Sequence, residues 1–167
     1  MNSRFWQSHF CTTCSDAETR ELGRLLAARL EPGDVLCLRG ELGAGKTTFI
    51  QGLAEGLGVT DPATSPSFTI IHEHRGRLPF YHLDLYRLAP ADVADIGIEE
   101  VLAAEAVVAI EWAERLPADL LGDGLDIEID FEQSDENVRR FRFRARGERG
   151  TRILESLKAE PDACPRA

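Results

Sequence analysis

Residues 34–57 read DVLCLRGELGAGKTTFIQGLAEGL: an apolar run, a glycine-rich turn and a helix-forming segment, in that order. Asp34 to Leu38 has the composition of a short buried strand, and the segment from Lys46 onward that of a helix. The turn between them satisfies G-x-x-x-x-G-K-[ST] with Gly40, Gly45, Lys46 and Thr47, and Gly43 adds a third position without side-chain bulk. The spacing follows from a physical task. Backbone N–H groups along Gly40, Glu41, Leu42, Gly43, Ala44 and Gly45 can turn inward as a nest for an anion, and the helix that follows points its positive end at the same place. Lys46 then reaches the outer phosphates, and the Thr47 hydroxyl is offered to Mg2+. The chain holds only two lysines, Lys46 and Lys158, so an accidental match to this pattern is a rare event.

At 167 residues the chain is expected to form one domain, residues 1–150, followed by a short helix and frayed tail over 151–167. No apolar run reaches bilayer length, and MNSRFWQSHF lacks the basic start and apolar centre of a signal peptide, so a cytoplasmic location is expected. Four cysteines suit that compartment. Cys11 and Cys14 form CTTC, but a zinc site needs a second ligand pair, and no other Cys or His pair has matching spacing. A net charge of −10 argues against the whole surface serving as a nucleic-acid platform, although arginines crowd between Arg139 and Arg152.

SDAE (residues 15–18) is a capping-box pattern, and Leu22, Leu25, Leu26 and Leu30 follow at helical spacing, which predicts a helix of about fifteen residues. In the second helix Gly52 and Gly56 lie four apart on one face, a spacing expected to allow close packing on a sheet. GVTDPATSPS (58–67) reads as a surface loop. FTIIHEH and LPFYHLDL read as strands joined by a turn at RGRL, APADVADIGIEEVLAAE as an interrupted helical region, and AVVAIEW as a central strand ending in Glu111. Farther on, LDIEIDF and FRFRAR alternate apolar residues with charges of opposite sign. Paired antiparallel, they would set Asp126, Glu128 and Asp130 on one solvent face with Arg142, Arg144 and Arg146. Such pairing accounts for the arginines, while arginine interleaved with aromatics also suits a surface that touches RNA.

A phosphate loop with Mg2+ needs acidic help, and open α/β sheets place ligands at the carboxyl ends of their strands. Asp84 and Glu111 both end apolar strands, which makes them the candidate metal-binding or water-orienting acids, with Lys46 beside them as the candidate catalytic cation. His82 is read as a core residue or a support for the site, and Tyr86 and Arg87 as residues able to hold a partner or a switch segment.

GELGAGKTTF, TSPSF, YHLDLYRL, GIEEVL and VAIEWAERLP occur in an order and at separations that resemble the TsaE family, bacterial ATPases of tRNA threonylcarbamoyladenosine biosynthesis. The similarity runs from about Leu22 to Pro117 and more weakly to Arg146. It implies an α/β, single-domain P-loop NTPase-like fold with a largely parallel central sheet, to which the residue pattern adds a C-terminal antiparallel strand pair. It implies ATP and Mg2+ as cofactors. Lys46, Thr47 and Thr48 would serve phosphate, and Thr47, Asp84 and Glu111 the metal. Ser65 and Ser67 would lie in a nucleotide-sensing switch, and Trp112 would follow the metal-binding glutamate. Ser67 stands where the family usually has threonine, which keeps the hydroxyl. The implied partners are the threonylcarbamoyl transferase subunit and its non-catalytic companion, with tRNA reached through that complex. A small-molecule kinase is the alternative, though no arginine-bearing lid is legible; a nucleotide-dependent scaffold is a third class.

Overall fold

The structure is a computed structural model that describes residues 8–61 and 70–160. Seven strands form one mixed sheet: β1 (Ser8–Thr13), β2 (Val35–Arg39), β3 (Ile71–Arg75), β4 (Pro79–Asp84), β5 (Val107–Glu111), β6 (Gly124–Glu132) and β7 (Asp135–Arg146). Their spatial order is β1-β7-β6-β2-β5-β4-β3. The inner strands β6, β2, β5 and β4 run parallel to one another, whereas β7 and β1 on one side and β3 on the other are antiparallel additions. The largely parallel expectation therefore holds for the centre, and the sheet as a whole is mixed. β2, the strand that feeds the glycine-rich turn, sits in the middle. The ends of β2, β4 and β5 open on the same edge, which brings the turn, Asp84 and Glu111 together.

Helices α1 (Asp16–Ala27), α2 (Lys46–Gly56) and α4 (Gly147–Lys158) cover one face. Leu22, Leu26, Phe49, Ile50, Leu53, Ile153 and Leu157 bury themselves there against Leu36, Leu38, Ile127, Phe141 and Phe143. On the other face, the 3-10 segment Pro90–Ile96 and α3 (Ile98–Leu102) pack Val93, Ile98 and Val101 against Cys37, Leu83, Val108 and Ile110. All five residues of β5 are buried, as a parallel strand covered on both faces requires. Half of the capping box forms at α1: the Glu18 N–H donates to Ser15 Oγ at 3.1 Å, while the Glu18 carboxylate accepts from the N–H of Cys14, one residue before the N-cap, at 2.6 Å. No helix of the described residues is long and apolar enough to cross a membrane.

Gly52 and Gly56 do not pack on the sheet as their spacing suggested. A Cβ on Gly52 would lie 1.9 Å from the Arg20 carbonyl oxygen, one on Gly56 2.6 Å from the Ala27 methyl, and one on Gly23 2.3 Å from the Phe49 carbonyl oxygen. The glycines let α1 and α2 touch backbone to backbone, since the sheet side of α2 is taken by Phe49, Ile50 and Leu53. The β6–β7 pair forms with Glu128 opposite Arg142 and Asp126 opposite Arg144. Asp126, however, is buried rather than on a solvent face, because Arg146 at 3.0 Å and Arg39 at 3.3 Å close over it near the sheet centre. The boundary expected between residues 150 and 151 falls inside α4, whose Ile153, Leu154 and Leu157 are core residues. The expected tail at 161–167 and most of the expected loop at 58–67, including Ser65 and Ser67, lie outside the described residues.

Candidate functional site

The turn from β2 into α2 forms the floor of an open trough of about 330 Å3. Gly43 and Gly45 carry φ values of 81° and 105°, the left-handed region that glycine enters without strain, and these turn the loop back on itself before the helix begins. A Cβ on Gly43 would meet nothing within 4 Å, so that side of the loop stays open. Leu42, Gly43, Gly45, Lys46, Thr47 and Thr48 line the trough; Ala44 is buried and Glu41 exposed. The Lys46 ammonium donates to the Gly40 carbonyl at 2.5 Å and the Glu41 carbonyl at 2.8 Å, and it lies 4.3 Å from the centre of the Trp112 ring. Burial lowers its pKa, and the carboxylates of Glu111, Glu114 and Asp84 act in the opposite direction.

Asp84 and Glu111 stand side by side at the ends of β4 and β5. Glu111 is 2% exposed, and both its oxygens are engaged. The Thr47 hydroxyl donates to Oε1 at 3.1 Å, and His82 Nε2 lies within hydrogen-bond distance of Oε2, at 2.8 Å. His82 is itself fully buried. Asp84 Oδ1 accepts from the Tyr86 N–H at 3.0 Å, a turn that carries the chain off the strand. Trp112 has φ 59° and is the one non-glycine residue with positive φ among the described residues. That conformation, costing about 1–2 kcal/mol, turns the chain sharply after Glu111, and the Trp112 ring meets Tyr86 at 4.9 Å as well as Lys46.

The structure thus gathers Lys46, Thr47, Thr48, Asp84, Glu111 and Trp112 around one trough. Two further lining residues escaped sequence reasoning, Asp16 at the start of α1 and Arg139 on β7. Asp16 reads in sequence as a helix-start acid and Arg139 as one of a row of strand arginines, and only the three-dimensional arrangement carries them to the loop.

The donor set suits a magnesium-bound polyphosphate. A loop turned by left-handed glycines, an ammonium bonded to two carbonyls beside the Trp112 ring, a hydroxyl and two adjacent carboxylates are the hard oxygen and cationic groups such a ligand needs.

Fold and site together define a class: a single-domain α/β protein with a mixed seven-stranded sheet and a polar trough at the carboxyl ends of its parallel strands. Within that class the chain belongs to the TsaE family, since the profile described as "Threonylcarbamoyl adenosine biosynthesis protein TsaE" matches residues 13–141. It is 43% identical over 146 residues to the tRNA threonylcarbamoyladenosine biosynthesis protein TsaE of Bacillus subtilis, covering 87% of this chain and 90% of that one. It is 50% identical over 104 residues to the protein of the same name from a Nostoc species, covering 59% of this chain and 64% of that one. The crystal structure of Bacillus subtilis YdiB superposes with a TM-score of 0.75 at 38% identity, covering 93% of this chain and 97% of the other.

Proposed function

We propose that the protein is a Mg-dependent ATPase of the P-loop kind that supports repeated turnover of the tRNA N6-threonylcarbamoyladenosine machinery. The observation that carries this reading is the 3.1 Å contact between Thr47, at the start of α2, and Glu111, at the end of β5, beside Lys46 and Asp84. Gly40–Thr48 would hold the phosphates, and Thr47, Asp84 and Glu111 would hold the metal. Mg2+ held there would supply charge neutralisation to the phosphate oxygens. Attack of water on the γ-phosphorus breaks its bond to the bridging oxygen and leaves ADP and phosphate. Lys46 offsets charge on those oxygens, and His82 fixes the Glu111 carboxylate so that its other oxygen faces Thr47. TsaE relatives carry the tRNA modification in their names, and membership of that family supports the same pathway here. The partners proposed are the threonylcarbamoyl transferase subunit and its non-catalytic companion, with tRNA engaged through them in the cytoplasm.

The test compares ATP hydrolysis by the protein alone and with the two subunits, and tRNA modification over several turnovers. Weak hydrolysis that rises on assembly, and loss of repeated modification with Glu111→Gln, are expected. Equal modification with wild type, with Glu111→Gln and with the protein omitted would remove it from the pathway. Transfer of phosphate to a small metabolite would instead mark a kinase.

A further inference from the structure

Helical cover is uneven between the two faces of the sheet. The core cluster around α3 takes residues from β2, β4 and β5, and none from β1, β6 or β7 among the described residues. On that face the outer three strands present the positions that alternate with their core residues. Phe141, Phe143 and Ala145 of β7 point into the core under α1, α2 and α4, which leaves Arg140, Arg142 and Arg144 in a column on the open face, roughly 7 Å apart. β1 flanks the column on one side, with Phe10 opposite Arg142 and Thr12 opposite Arg140. β6 flanks it on the other with Asp126, Glu128 and Asp130.

These acids do not use up the arginines. Arg140 reaches Glu132 at 2.6 Å, but Arg142 comes only within 3.5 Å of Glu128, and its buried Nε has no hydrogen-bond partner among the described residues. Asp126, which the register sets opposite Arg144, is taken instead by Arg146 and Arg39. Arg144 has neither a hydrogen bond nor an ion pair among the described residues. With Arg39 and Arg146 the face holds five arginines against the four carboxylates of Asp126, Glu128, Asp130 and Glu132, in a chain whose net charge is −10. Positive charge therefore gathers where the helices leave the sheet open. Phe10 stands in the same place, 58% exposed, with the Arg142 guanidinium carbon 5.8 Å from its ring centre. Core packing gives no reason for a large aromatic ring to face water there.

We propose that the open face of β1 and β7 binds a single-stranded stretch of RNA, with a base stacked on Phe10 and the phosphates following Arg142 and Arg144. An arginine column beside an aromatic ring offers the two contacts that an unpaired strand takes, charge for its backbone and a flat surface for its bases. The Thr12 hydroxyl on the same face can exchange a hydrogen bond with a ribose 2′-hydroxyl, the group that sets RNA apart from DNA. The face lies across the sheet from α2 and the glycine-rich loop, so this inference goes beyond the ATPase reading and does not depend on it.

Fluorescence anisotropy at low salt, with a labelled RNA of about twelve unpaired nucleotides and circular dichroism to check each variant, tests the proposal. Wild type should bind, more weakly as salt rises. Phe10→Ala should weaken binding about ten-fold or more, and Phe10→Trp should retain it. If Phe10→Ala does not fold, Phe10→Leu, which keeps an apolar side chain but no ring, carries the same comparison. Arg144→Ala should weaken binding and lower the slope of log affinity against log salt by about 0.7, the value of one phosphate contact on a single strand. Arg75→Ala, which removes the same charge from β3 at the far edge of the sheet, should bind as wild type does. DNA of the same sequence should bind more weakly than RNA, and Thr12→Val should narrow the difference. Absence of binding, equal losses in Arg144→Ala and Arg75→Ala, or equal affinity for RNA and DNA would each overturn the proposal. Absence of binding together with self-association that Phe10→Ala abolishes would make the face a protein contact instead. Lys46→Ala keeps the two readings apart: it should lose ATP and keep RNA, whereas normal ATP binding in that variant would count against the phosphate loop alone.

Discussion

Glu111 illustrates how much of this site rests on single atoms. Its carboxylate is buried between the Thr47 hydroxyl and the His82 ring, so the histidine is part of what keeps a charge tolerable in a fully packed strand. His82→Phe removes one of those partners, and a loss of about 1–3 kcal/mol in urea unfolding is expected, together with, under the proposed function, a weakened Mg2+ dependence of hydrolysis; His82→Gln, which can still donate, should recover part of both. Unchanged unfolding in His82→Phe would show that the contact contributes little. Cys37 presents a different case. Burial pushes its thiol up from 9.0 to about 11, with Arg146 opposing and Asp126 adding to the shift. A thiol that ionises earlier in the unfolded chain than in the folded one favours the fold while protonated. That contribution is complete below pH 9 and is lost as pH rises through 11. Wild type should lose on the order of 2–3 kcal/mol more than Cys37→Ala across this window, as read from urea midpoints at each pH, and parallel curves would contradict the assignment. At this scale the sequence was readable wherever a residue acts through its local motif. Lys46, Thr47, Asp84 and Glu111 each sit at the end of a recognisable segment. Arg139 and Asp16 reach the trough only through the order of strands and helices, which no local pattern encodes, and the part proposed for Ser65 and Ser67 falls outside the described residues.

Among the elements, α2 shows where periodicity carries an argument and where it stops. Helix existence and start were legible from the loop motif and the apolar spacing, and the observed helix begins at Lys46. The small-residue face was legible too, but its partner was not, because spacing identifies a face without naming what covers it. That partner is α1, against which Gly52 leaves no room. Gly52→Ala sets two effects against each other: alanine in a helix interior gains about 1 kcal/mol over glycine, whereas its methyl would stand 1.9 Å from the Arg20 carbonyl oxygen, a backbone atom that cannot swing aside. Overpacking of this sort costs about 1–3 kcal/mol or more. The clash should win, and the thermal midpoint should fall. A rise in midpoint would mean that α1 and α2 separate easily, and the close approach would then be incidental. The β6–β7 pair was readable for the complementary reason. Opposite charges alternating at period two specify both a face and a partner, and the register brings Glu128 and Arg142 to 3.5 Å.

Across the whole molecule, the strand that feeds the loop is tied at its base to the end of the chain. Asp34 is fully buried one residue before β2. It accepts from Arg152 Nη2 at 2.7 and 2.6 Å, from Arg149 Nη1 at 3.2 Å and from the Glu31 N–H at 2.7 Å. Both arginines project from α4, so the helix expected to be a short addition instead closes one end of the core. Sequence reading missed this because an acid before a strand and arginines in an exposed-looking helix each have an ordinary local explanation. The asymmetry of burial makes the cluster testable. Asp34 has no exposed side-chain surface, whereas the side chains of Arg149 and Arg152 are 46% and 35% exposed. Removing the acid frees two guanidiniums that water can reach, and Asp34→Asn also retains an acceptor for the Glu31 amide, so its cost should stay near 1–2 kcal/mol. Removing Arg152 leaves a carboxylate in the interior with one guanidinium, Arg149 at 3.2 Å, and a single amide, a situation that typically costs about 3–5 kcal/mol. Arg152→Ala should therefore destabilise the protein more than Asp34→Asn in equilibrium urea unfolding. The double variant should lie close to Asp34→Asn alone, because once the charge is gone the arginine has little left to neutralise. Additive losses, or a larger loss for Asp34→Asn, would mean that the cluster acts through packing rather than through the buried charge.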